Sequence, residues 1–384
     1  MRAVATALIA LLVAAACTES TNTQVATPIA RAANPSELVP FFGTYSTGDG
    51  RSFVIARHGW FFDIRDATYR TIYSGATPNR FTIGPAFEVP LPTFANLRFD
   101  GTMLTLATSH ATVTAHRLAY KGTDVIIPAN GAMLAGSITE PLGAGPHPGI
   151  VIVHGAEPGE RYFYDIWVGI YAGLGLDVLT YDKREIGAST GRYPGEFPTD
   201  ESLQVYADDA ASALGFLAAW PGVDLKRVGL HGGSQGGWTV PLAIMRHAGA
   251  SFAILVSAPA TTVGQTNLWS EYTGGGSHAP TASQAEMEAA VRADHSGYDP
   301  APALAALRVP TLWLLGSNDR TVPTHVCAEI LAGMNKSNFT VRMLPTGHGL
   351  LVNSTGLDAE DARSPGLAPD LVPAIADWLK STVG

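Results

Sequence analysis

A serine stands in a glycine-rich stretch between a predicted strand and a predicted helix. Residues 227–238 read RVGLHGGSQGGW, in which a short apolar run leads into a Gly-x-Ser-x-Gly core centred on Ser234. Glycines suit such a sharp turn because larger side chains would collide with the neighbouring strand and helix. The unpaired N–H groups at the start of the helix favour developing negative charge beside the serine. The pattern therefore predicts a nucleophilic serine, the alternative being a glycine-rich turn that contains a serine by chance.

A nucleophilic serine needs a base and an acid that orients the base. Among the 11 histidines, His348 directly follows the last predicted strand, at the carboxyl edge where open α/β sheets keep their sites. Asp319 comes just after the penultimate predicted strand. We therefore predict Ser234, Asp319 and His348 as the catalytic residues. Asp182 and Asp299 rank next as candidate acids.

Acyl transfer also needs donors for the oxyanion that forms on the attacked carbonyl. The first candidate is the N–H of Gln235, directly after the nucleophile, and the second is the N–H of Ala156, in the loop after the apolar run at 151–155. In this hypothesis His348 takes the proton of Ser234 while the serine attacks. The alkoxide is held by Ala156 and Gln235, and water then hydrolyses the acyl-enzyme.

The other histidines and the cysteines carry weaker signals. His231 and His154 lie at or near predicted strand ends, and we expect structural roles for both. No His, Cys, Asp or Glu residues have the spacing of a metal site, so we expect neither a metal nor another cofactor. Cys327 lies in a predicted helix and is expected to be a small buried side chain.

Residues 34–122 show short alternating apolar runs separated by turn signals such as Asp100-Gly101. This pattern predicts a small antiparallel β domain, a barrel or sandwich of six to eight strands. The predicted strands lie at 53–55, 60–64, 71–73, 80–83, 97–99, 103–106 and 113–118.

Residues 123–384 alternate between strand and helix patterns, which predicts a mostly parallel sheet with helices on both faces. An antiparallel entry pair at 125–127 and 132–139 leads into it. Residues 257–307 form a long insertion, which we expect to be a lid-like excursion facing the substrate. Strands are predicted at 149–153, 176–181, 228–230, 252–256, 310–315 and 339–344, and helices at 162–172, 202–220, 237–247, 283–294, 325–334 and 370–382.

The charge and the N-terminus bear on partners and location. The net charge of −9 argues against binding to nucleic acid, because an acidic protein is repelled by the phosphate backbone.

Residues 1–16 have the form of a signal peptide, with Arg2, an apolar run too short to span a bilayer, and small residues before Cys17. Simple cleavage would give a secreted protein. Lipidation of Cys17, which we favour, would give a bacterial lipoprotein in the periplasm or on the cell surface, with residues 17–33 as its tether.

Several stretches, in order and spacing, are similar to the α/β-hydrolase superfamily over residues 123–384. They are VIVHGAEPGER (151–161), TYDKREIGASTG (180–191), GLHGGSQGGW (229–238), LLGSNDRTVP (314–323) and PTGHGLL (345–351). The nearest resemblance is to serine hydrolases grouped with dienelactone hydrolases, acyl-CoA thioesterases and prolyl-oligopeptidase-like esterases. It implies the α/β-hydrolase fold, the Ser234–Asp319–His348 triad and carboxylic-ester hydrolysis. Relatives often have Gly-Pro or Ser-Gly where this chain has Ala156-Glu157.

The leading hypothesis is thus an exported serine esterase that acts on a small-molecule acyl substrate and meets the membrane only through an anchor at Cys17. A thioesterase or peptidase is the alternative within the same fold, because the pocket and not the triad discriminates among acyl groups. A catalytically silent cell-envelope binding protein is the alternative outside the enzymes. No oligomeric state is predicted.

Overall fold

The computed structural model of the chain describes residues 30–246 and 249–384. Its strands form a closed antiparallel barrel of eight strands followed by an eight-stranded mixed sheet. The predicted class, an α/β-hydrolase fold preceded by a small antiparallel β domain, is therefore confirmed. The predicted signal peptide, Cys17 and residues 18–29 of the predicted tether lie outside the described residues. At the end of that tether, Ala32 already pairs with Tyr73 of the barrel.

The barrel closes where its first strand pairs with its last, at Tyr45 and Arg117. Alternation along each strand sends one set of side chains inward, as in Ala95–Asp100, whose residues are alternately buried and exposed. Aromatic rings such as Phe53 and Phe61 fill the interior. The strands are β1 (Gly43–Ser46), β2 (Ser52–Ile55), β3 (Trp60–Asp63), β4 (Thr68–Ser74), β5 (Arg80–Ile83), β6 (Ala95–Asp100), β7 (Met103–Thr108) and β8 (Thr112–Arg117).

The second sheet has the strand order β16-β15-β14-β13-β11-β12-β10-β9. The first two of its strands in the chain form the antiparallel entry pair, and the other six run parallel to one another. Buried apolar runs explain the parallel part, because a strand covered on both faces has no polar side. The strands are β9 (Lys121–Ala129), β10 (Ala132–Glu140), β11 (His147–Val153), β12 (Asp177–Tyr181), β13 (Val223–Gly233), β14 (Phe252–Val256), β15 (Thr311–Gly316) and β16 (Phe339–Leu344).

Helices cover both faces of this sheet. The bounds are α1 (Pro35–Leu38), α2 (Asp165–Gly173), α3 (Asp200–Ala218), α4 (Gly236–Arg246), α5 (Val263–Thr273), α6 (Gln284–Ala293), α7 (Ala301–Ala306), α8 (Thr324–Gly333), α9 (Asp358–Asp361) and α10 (Leu371–Thr382), with 3₁₀ turns at Arg161–Tyr164 and Gly274–Gly276. Helices α3, α4 and α8 contribute to the core on one face, and α2 and α10 to the core on the other. Across the described ranges, no helix combines the length and apolar character needed to cross a membrane.

The barrel packs directly on the sheet domain through α2. Val54 and Phe62, on the outside of the barrel, belong to the same apolar core as α2. A Cβ on Gly169 would come within 2.4 Å of the Val54 side chain, so the helix and the barrel wall are in close contact. Arg57 forms an ion pair with Asp165 at 3.3 Å across the same boundary.

The long segment 257–307 carries α5, α6 and α7. The Trp269 indole on α5 donates a 3.1 Å hydrogen bond to the carbonyl oxygen of Asp319, and Thr273 bonds to the carbonyl oxygen of Arg320. Helix α5 therefore packs beside the loop after β15.

Candidate active site

Ser234 lies at the turn between β13 and α4. Its backbone has a positive φ of 50°, a conformation that costs energy for any residue with a Cβ and that marks strained turns at functional sites. The glycines around it are needed because a Cβ on Gly232 would lie 2.7 Å from a Val240 methyl group. One on Gly237 would lie 2.5 Å from the carbonyl oxygen of Pro259. The local sequence thus produces the sharp turn expected for a nucleophile.

The structure brings Ser234, His348 and Asp319 together from three separate strand ends. The Ser234 Oγ lies 3.2 Å from His348 Nε2, and His348 Nδ1 lies 2.8 Å from Asp319 Oδ2. A carboxylate can only accept, so Nδ1 carries the proton and Nε2 is free to accept the serine proton. The other Asp319 oxygen accepts two backbone N–H bonds, from Thr321 and Val322, each of 2.8 Å, and these fix the carboxylate.

The electrostatics of His348 suit a base held beside an acid. Burial alone would lower the pKa of this imidazole, but the Asp319 carboxylate and its hydrogen bond outweigh burial and raise the pKa above its ordinary value. The backbone of His348 is also fixed, because the Ser257 hydroxyl donates a 2.7 Å hydrogen bond to the His348 carbonyl oxygen.

The two candidate oxyanion donors flank the serine in different loops. Within the described residues, neither the N–H of Gln235 nor that of Ala156 donates to a protein acceptor. The neighbouring Gly155 N–H is occupied, since it donates to the Tyr164 hydroxyl at 3.1 Å. A Cβ on Gly155 would lie 3.5 Å from the Ser234 Cβ, which puts the Ala156 loop directly beside the serine. Two unused donors next to a nucleophile can hold a developing oxyanion.

A cavity of about 190 Å³ opens beside Ser234 and His348. Its walls include Phe163, Tyr164, Trp167, Val256 and Leu350. Of the long segment 257–307, which the structure describes in full, Ser257 lines this cavity. A larger cavity of about 800 Å³ lies between the barrel and α2, and none of the three predicted catalytic residues lines it.

Sequence reasoning missed one charged residue in the cavity wall, Glu157. Its Oε1 lies 3.3 Å from His154 Nδ1 and accepts the Tyr164 hydroxyl. Burial would raise the pKa of this carboxyl, but the contacts with His154 and Tyr164 and the charge of Lys183 lower it to about 2. The signal in the sequence was the Ala156-Glu157 pair, where relatives of the resembled group have other residues.

The lower-ranked candidates lie elsewhere in the structure. Asp182 accepts the Arg161 N–H at 2.7 Å and pairs with its guanidinium, and Asp299 accepts the N–H of Ala301 at the start of α7. His231 does line the cavity, but its Nδ1 contacts the Tyr171 hydroxyl at 2.9 Å, and burial lowers its pKa to about 3. Among the described residues, no group of three His, Cys, Asp or Glu side chains could hold a metal ion.

Comparison with known proteins matches this architecture. A profile of the Prolyl oligopeptidase family matches residues 200–361. An uncharacterized protein of Mycobacterium tuberculosis is 26% identical over 242 residues, which cover 62% of this chain and 77% of that protein. Human dipeptidyl peptidase 8 is 30% identical over 115 residues, 30% of this chain but 12% of the peptidase. An esterase structure from Pyrococcus furiosus superposes with a TM-score of 0.51 at 15% identity, covering 69% of this chain and 92% of the esterase.

The profile match over residues 200–361 includes the Ser234 turn and strands β13 to β16 of the mixed sheet. The mixed sheet therefore has the α/β-hydrolase fold, and the similarity of residues 200–361 to the Prolyl oligopeptidase family supports a hydrolase.

Proposed function

We propose that this protein is a serine hydrolase that cleaves carboxylic esters through an acyl-enzyme on Ser234. The observation that carries the proposal is the continuous line of contacts from the serine hydroxyl through the His348 imidazole to the Asp319 carboxylate. The free N–H groups of Gln235 and Ala156 support it, because a nucleophile without oxyanion donors would be a poor catalyst.

The reaction proceeds in two halves. His348 Nε2 takes the Ser234 proton as Oγ bonds to the ester carbonyl carbon, and the resulting oxyanion accepts from Gln235 and Ala156. The imidazolium then protonates the departing alcohol, the ester C–O bond breaks, and the acyl group remains on Ser234. Water then loses a proton to His348 as its oxygen bonds to the acyl carbon. The bond between that carbon and Ser234 Oγ breaks, the imidazolium returns the proton to Oγ, and the carboxylic acid leaves. Each oxyanion donor contributes roughly 3–4 kcal/mol of barrier lowering.

A peptidase is the second candidate, favoured by the match to the Prolyl oligopeptidase family over residues 200–361. A thioesterase uses the same steps with a thiol as leaving group. A panel of p-nitrophenyl esters of increasing acyl length, thioesters and aminoacyl anilides separates the three. We expect kcat/KM to be highest for esters with short acyl chains, because the cavity beside Ser234 is small.

A fluorophosphonate probe tests the proposed nucleophile directly. The serine oxygen displaces fluoride from phosphorus and leaves a stable adduct at one residue. We expect stoichiometric labelling of the purified protein at Ser234, and its loss in Ser234→Ala. A folded protein that neither reacts with the probe nor hydrolyses any member of the panel would instead be a silent binding protein.

We also propose export and lipidation at Cys17, on the basis of the N-terminal sequence alone. Cells that express the full chain and are fed an alkyne fatty acid should label the wild-type protein and not Cys17→Ser. An unlabelled wild-type protein in the culture medium would instead indicate simple cleavage of the signal peptide.

A further inference from the structure

Glu157 presents one carboxylate oxygen to the cavity beside the nucleophile. Its Oε1 is engaged by His154 and Tyr164, whereas Oε2 has no hydrogen-bond partner among the described residues and is not enclosed. A Cβ on Gly155 would meet Glu157 Oε2 at 2.6 Å and the Ser234 Cβ at 3.5 Å. The Glu157 oxygen and the serine therefore both lie beside the same face of Gly155.

The surroundings keep this group ionised. The pKa of Glu157 is lowered to about 2 although burial opposes the shift, so the carboxylate is charged at any pH at which the enzyme works. Because this charged oxygen is accessible from the cavity and is not engaged by the protein, a ligand that carries a cation or a hydrogen-bond donor can bind it.

The charge of Lys183 acts on Glu157, but its ammonium group is engaged elsewhere. Its Nζ donates to the carbonyl oxygens of Gly155 and Glu157, both at 2.7 Å, and lies 4.6 Å from the centre of the Tyr206 ring. The lysine side chain is buried behind the loop, where it ties the loop backbone down.

Aromatic rings complete the wall. Phe163, Tyr164 and Trp167 line the same cavity as Glu157, and the exposed Phe163 ring is held in place edge-on by Trp60 of the barrel, with ring centres 5.5 Å apart. A carboxylate beside aromatic rings is the combination that binds alkylammonium groups, through charge on one side and the ring quadrupoles on the other.

We propose that Glu157, with the rings of Phe163 and Trp167, selects substrates that carry an ammonium group a few bonds from the scissile carbonyl. The inference rests on the proposed serine hydrolase function and names its substrate class. The ammonium fits against Oε2 while the carbonyl carbon sits over Ser234, so a neutral group of the same shape leaves the carboxylate unpaired.

Matched esters of equal shape test this selection on either side of the ester. For the acyl side, p-nitrophenyl 4-(trimethylammonio)butanoate is compared with p-nitrophenyl 5,5-dimethylhexanoate. For the leaving side, acetylthiocholine is compared with 3,3-dimethylbutyl thioacetate. We expect kcat/KM to favour the cationic member of at least one pair by about 10- to 100-fold, the scale of one charged contact.

The Glu157→Gln variant should reduce that ratio of cationic to neutral rates about tenfold or more. Glu160→Gln is the matched control, because it removes the same charge from an exposed side chain three residues away and should leave the ratio unchanged. A ratio near one in the wild type, or an equal ratio in wild type and Glu157→Gln, overturns the proposal and leaves Glu157 as a residue that only holds His154 and Tyr164.

A measurement on the wild type guards against a variant that fails to fold. Tetramethylammonium should inhibit hydrolysis of the neutral ester competitively. Neopentyl alcohol, an uncharged molecule with a similar branched carbon skeleton, should inhibit more weakly. Equal inhibition by both overturns the proposal. Failure of the proposed function looks different, since fluorophosphonate would then leave Ser234 unlabelled; labelled Ser234 without cation preference refutes the substrate class alone.

Discussion

His348 donates through Nδ1 to the Asp319 carboxylate across 2.8 Å, on the side of the ring opposite to Ser234. This pairing raises the pKa of the histidine above its ordinary value of 6.5 in spite of burial. An imidazole that is already protonated cannot take the serine proton, so activity depends on the neutral form.

The pH profile of kcat/KM should therefore have an acid limb with a midpoint above about 6.5. Asp319→Asn should move this midpoint to lower pH, because the charge that favours the imidazolium is gone. It should also reduce the maximal rate roughly 10³- to 10⁴-fold, as the loss of the orienting carboxylate does in other triads. Stopped assays on a p-nitrophenyl ester from pH 5 to 9 give both quantities. An unchanged midpoint in the variant would mean that another group controls the limb.

The turn around Ser234 tolerates no extra atom at Gly237. A methyl group there would lie 2.5 Å from the Pro259 carbonyl oxygen and 2.8 Å from its ring, both parts of a rigid backbone. Gly237→Ala should lower the free energy of unfolding by about 1–3 kcal/mol and slow the labelling of Ser234 by fluorophosphonate.

Gly215→Ala in α3 is the matched control for that substitution. Nothing lies within 4 Å of the added methyl group, and alanine is the better helix former, so the free energy of unfolding should rise by about 0.5–1 kcal/mol. Urea unfolding of the two variants and the wild type measures both changes in the free energy of unfolding. Equal stability of Gly237→Ala and the wild type would refute the steric account of this turn.

Most of the mixed sheet could be predicted because buried parallel strands leave a continuous apolar run. The predicted strands at 252–256 and 339–344 coincide with β14 and β16. The barrel strand β1 went unpredicted, since Gly43–Ser46 holds a single large apolar side chain, Tyr45. Helix α5 was also missed because its sequence, VGQTNLWSEYT, has little apolar periodicity; its Thr262 cap and the Trp269 bond to the Asp319 loop stabilise it.

Some residues of the candidate site could be predicted from the sequence, and others could not. Ser234, Asp319 and His348 could be proposed from the sequence because each follows a strand, and strand ends meet at one edge of a parallel sheet. Glu157 could not, because its place in the cavity wall depends on the loop conformation held by Lys183.

Asp177, which lies away from the cavity, should make the stability of the fold depend on pH. It is buried at the start of β12, and its Oδ2 makes no hydrogen bond, with His147 Nδ1 at 3.7 Å. Burial raises its pKa from 3.8 to about 6. Between these two values the folded protein binds more protons than the unfolded chain, so the free energy of unfolding falls as the pH rises through this window and stays lower above it.

Asp177→Asn should remove this fall in the free energy of unfolding, because asparagine does not ionise. We expect its Tm to exceed that of the wild type by about 2–4 °C at pH 7, and the difference to vanish below about pH 4, where the wild-type carboxyl is protonated in both states. Thermal unfolding at several pH values measures the difference. Asp100→Asn, at an exposed position of the barrel, is the control and should track the wild type at every pH. A variant that is less stable than the wild type at pH 7 would show that the Asp177 charge is stabilising.

The barrel reaches the His348 loop through the segment 362–368. The Leu367 N–H donates to the Ala67 carbonyl oxygen of the barrel at 2.9 Å, and the neighbouring Ala368 N–H donates to the Leu350 carbonyl oxygen, also at 2.9 Å. Leu350 lies two residues after His348. The barrel is thus connected by backbone hydrogen bonds to the loop that carries the candidate base.

Arg70 of β4 strengthens this connection, because its buried guanidinium donates to the carbonyl oxygens of Ser364 and Pro365. Arg70→Ala leaves the Pro365 carbonyl oxygen without its donor, at a cost of roughly 1–3 kcal/mol, whereas the Ser364 carbonyl oxygen keeps the Phe87 N–H. We expect a lower free energy of unfolding, and below the unfolding transition a lower kcat with little change in KM, because the loop of His348 loses support while the cavity walls remain. Arg80→Ala removes an exposed arginine from the neighbouring strand β5 and should change neither quantity. Urea unfolding and steady-state kinetics on the same preparations decide the matter: wild-type kcat in a destabilised Arg70→Ala would mean that the barrel supports the fold without positioning the base.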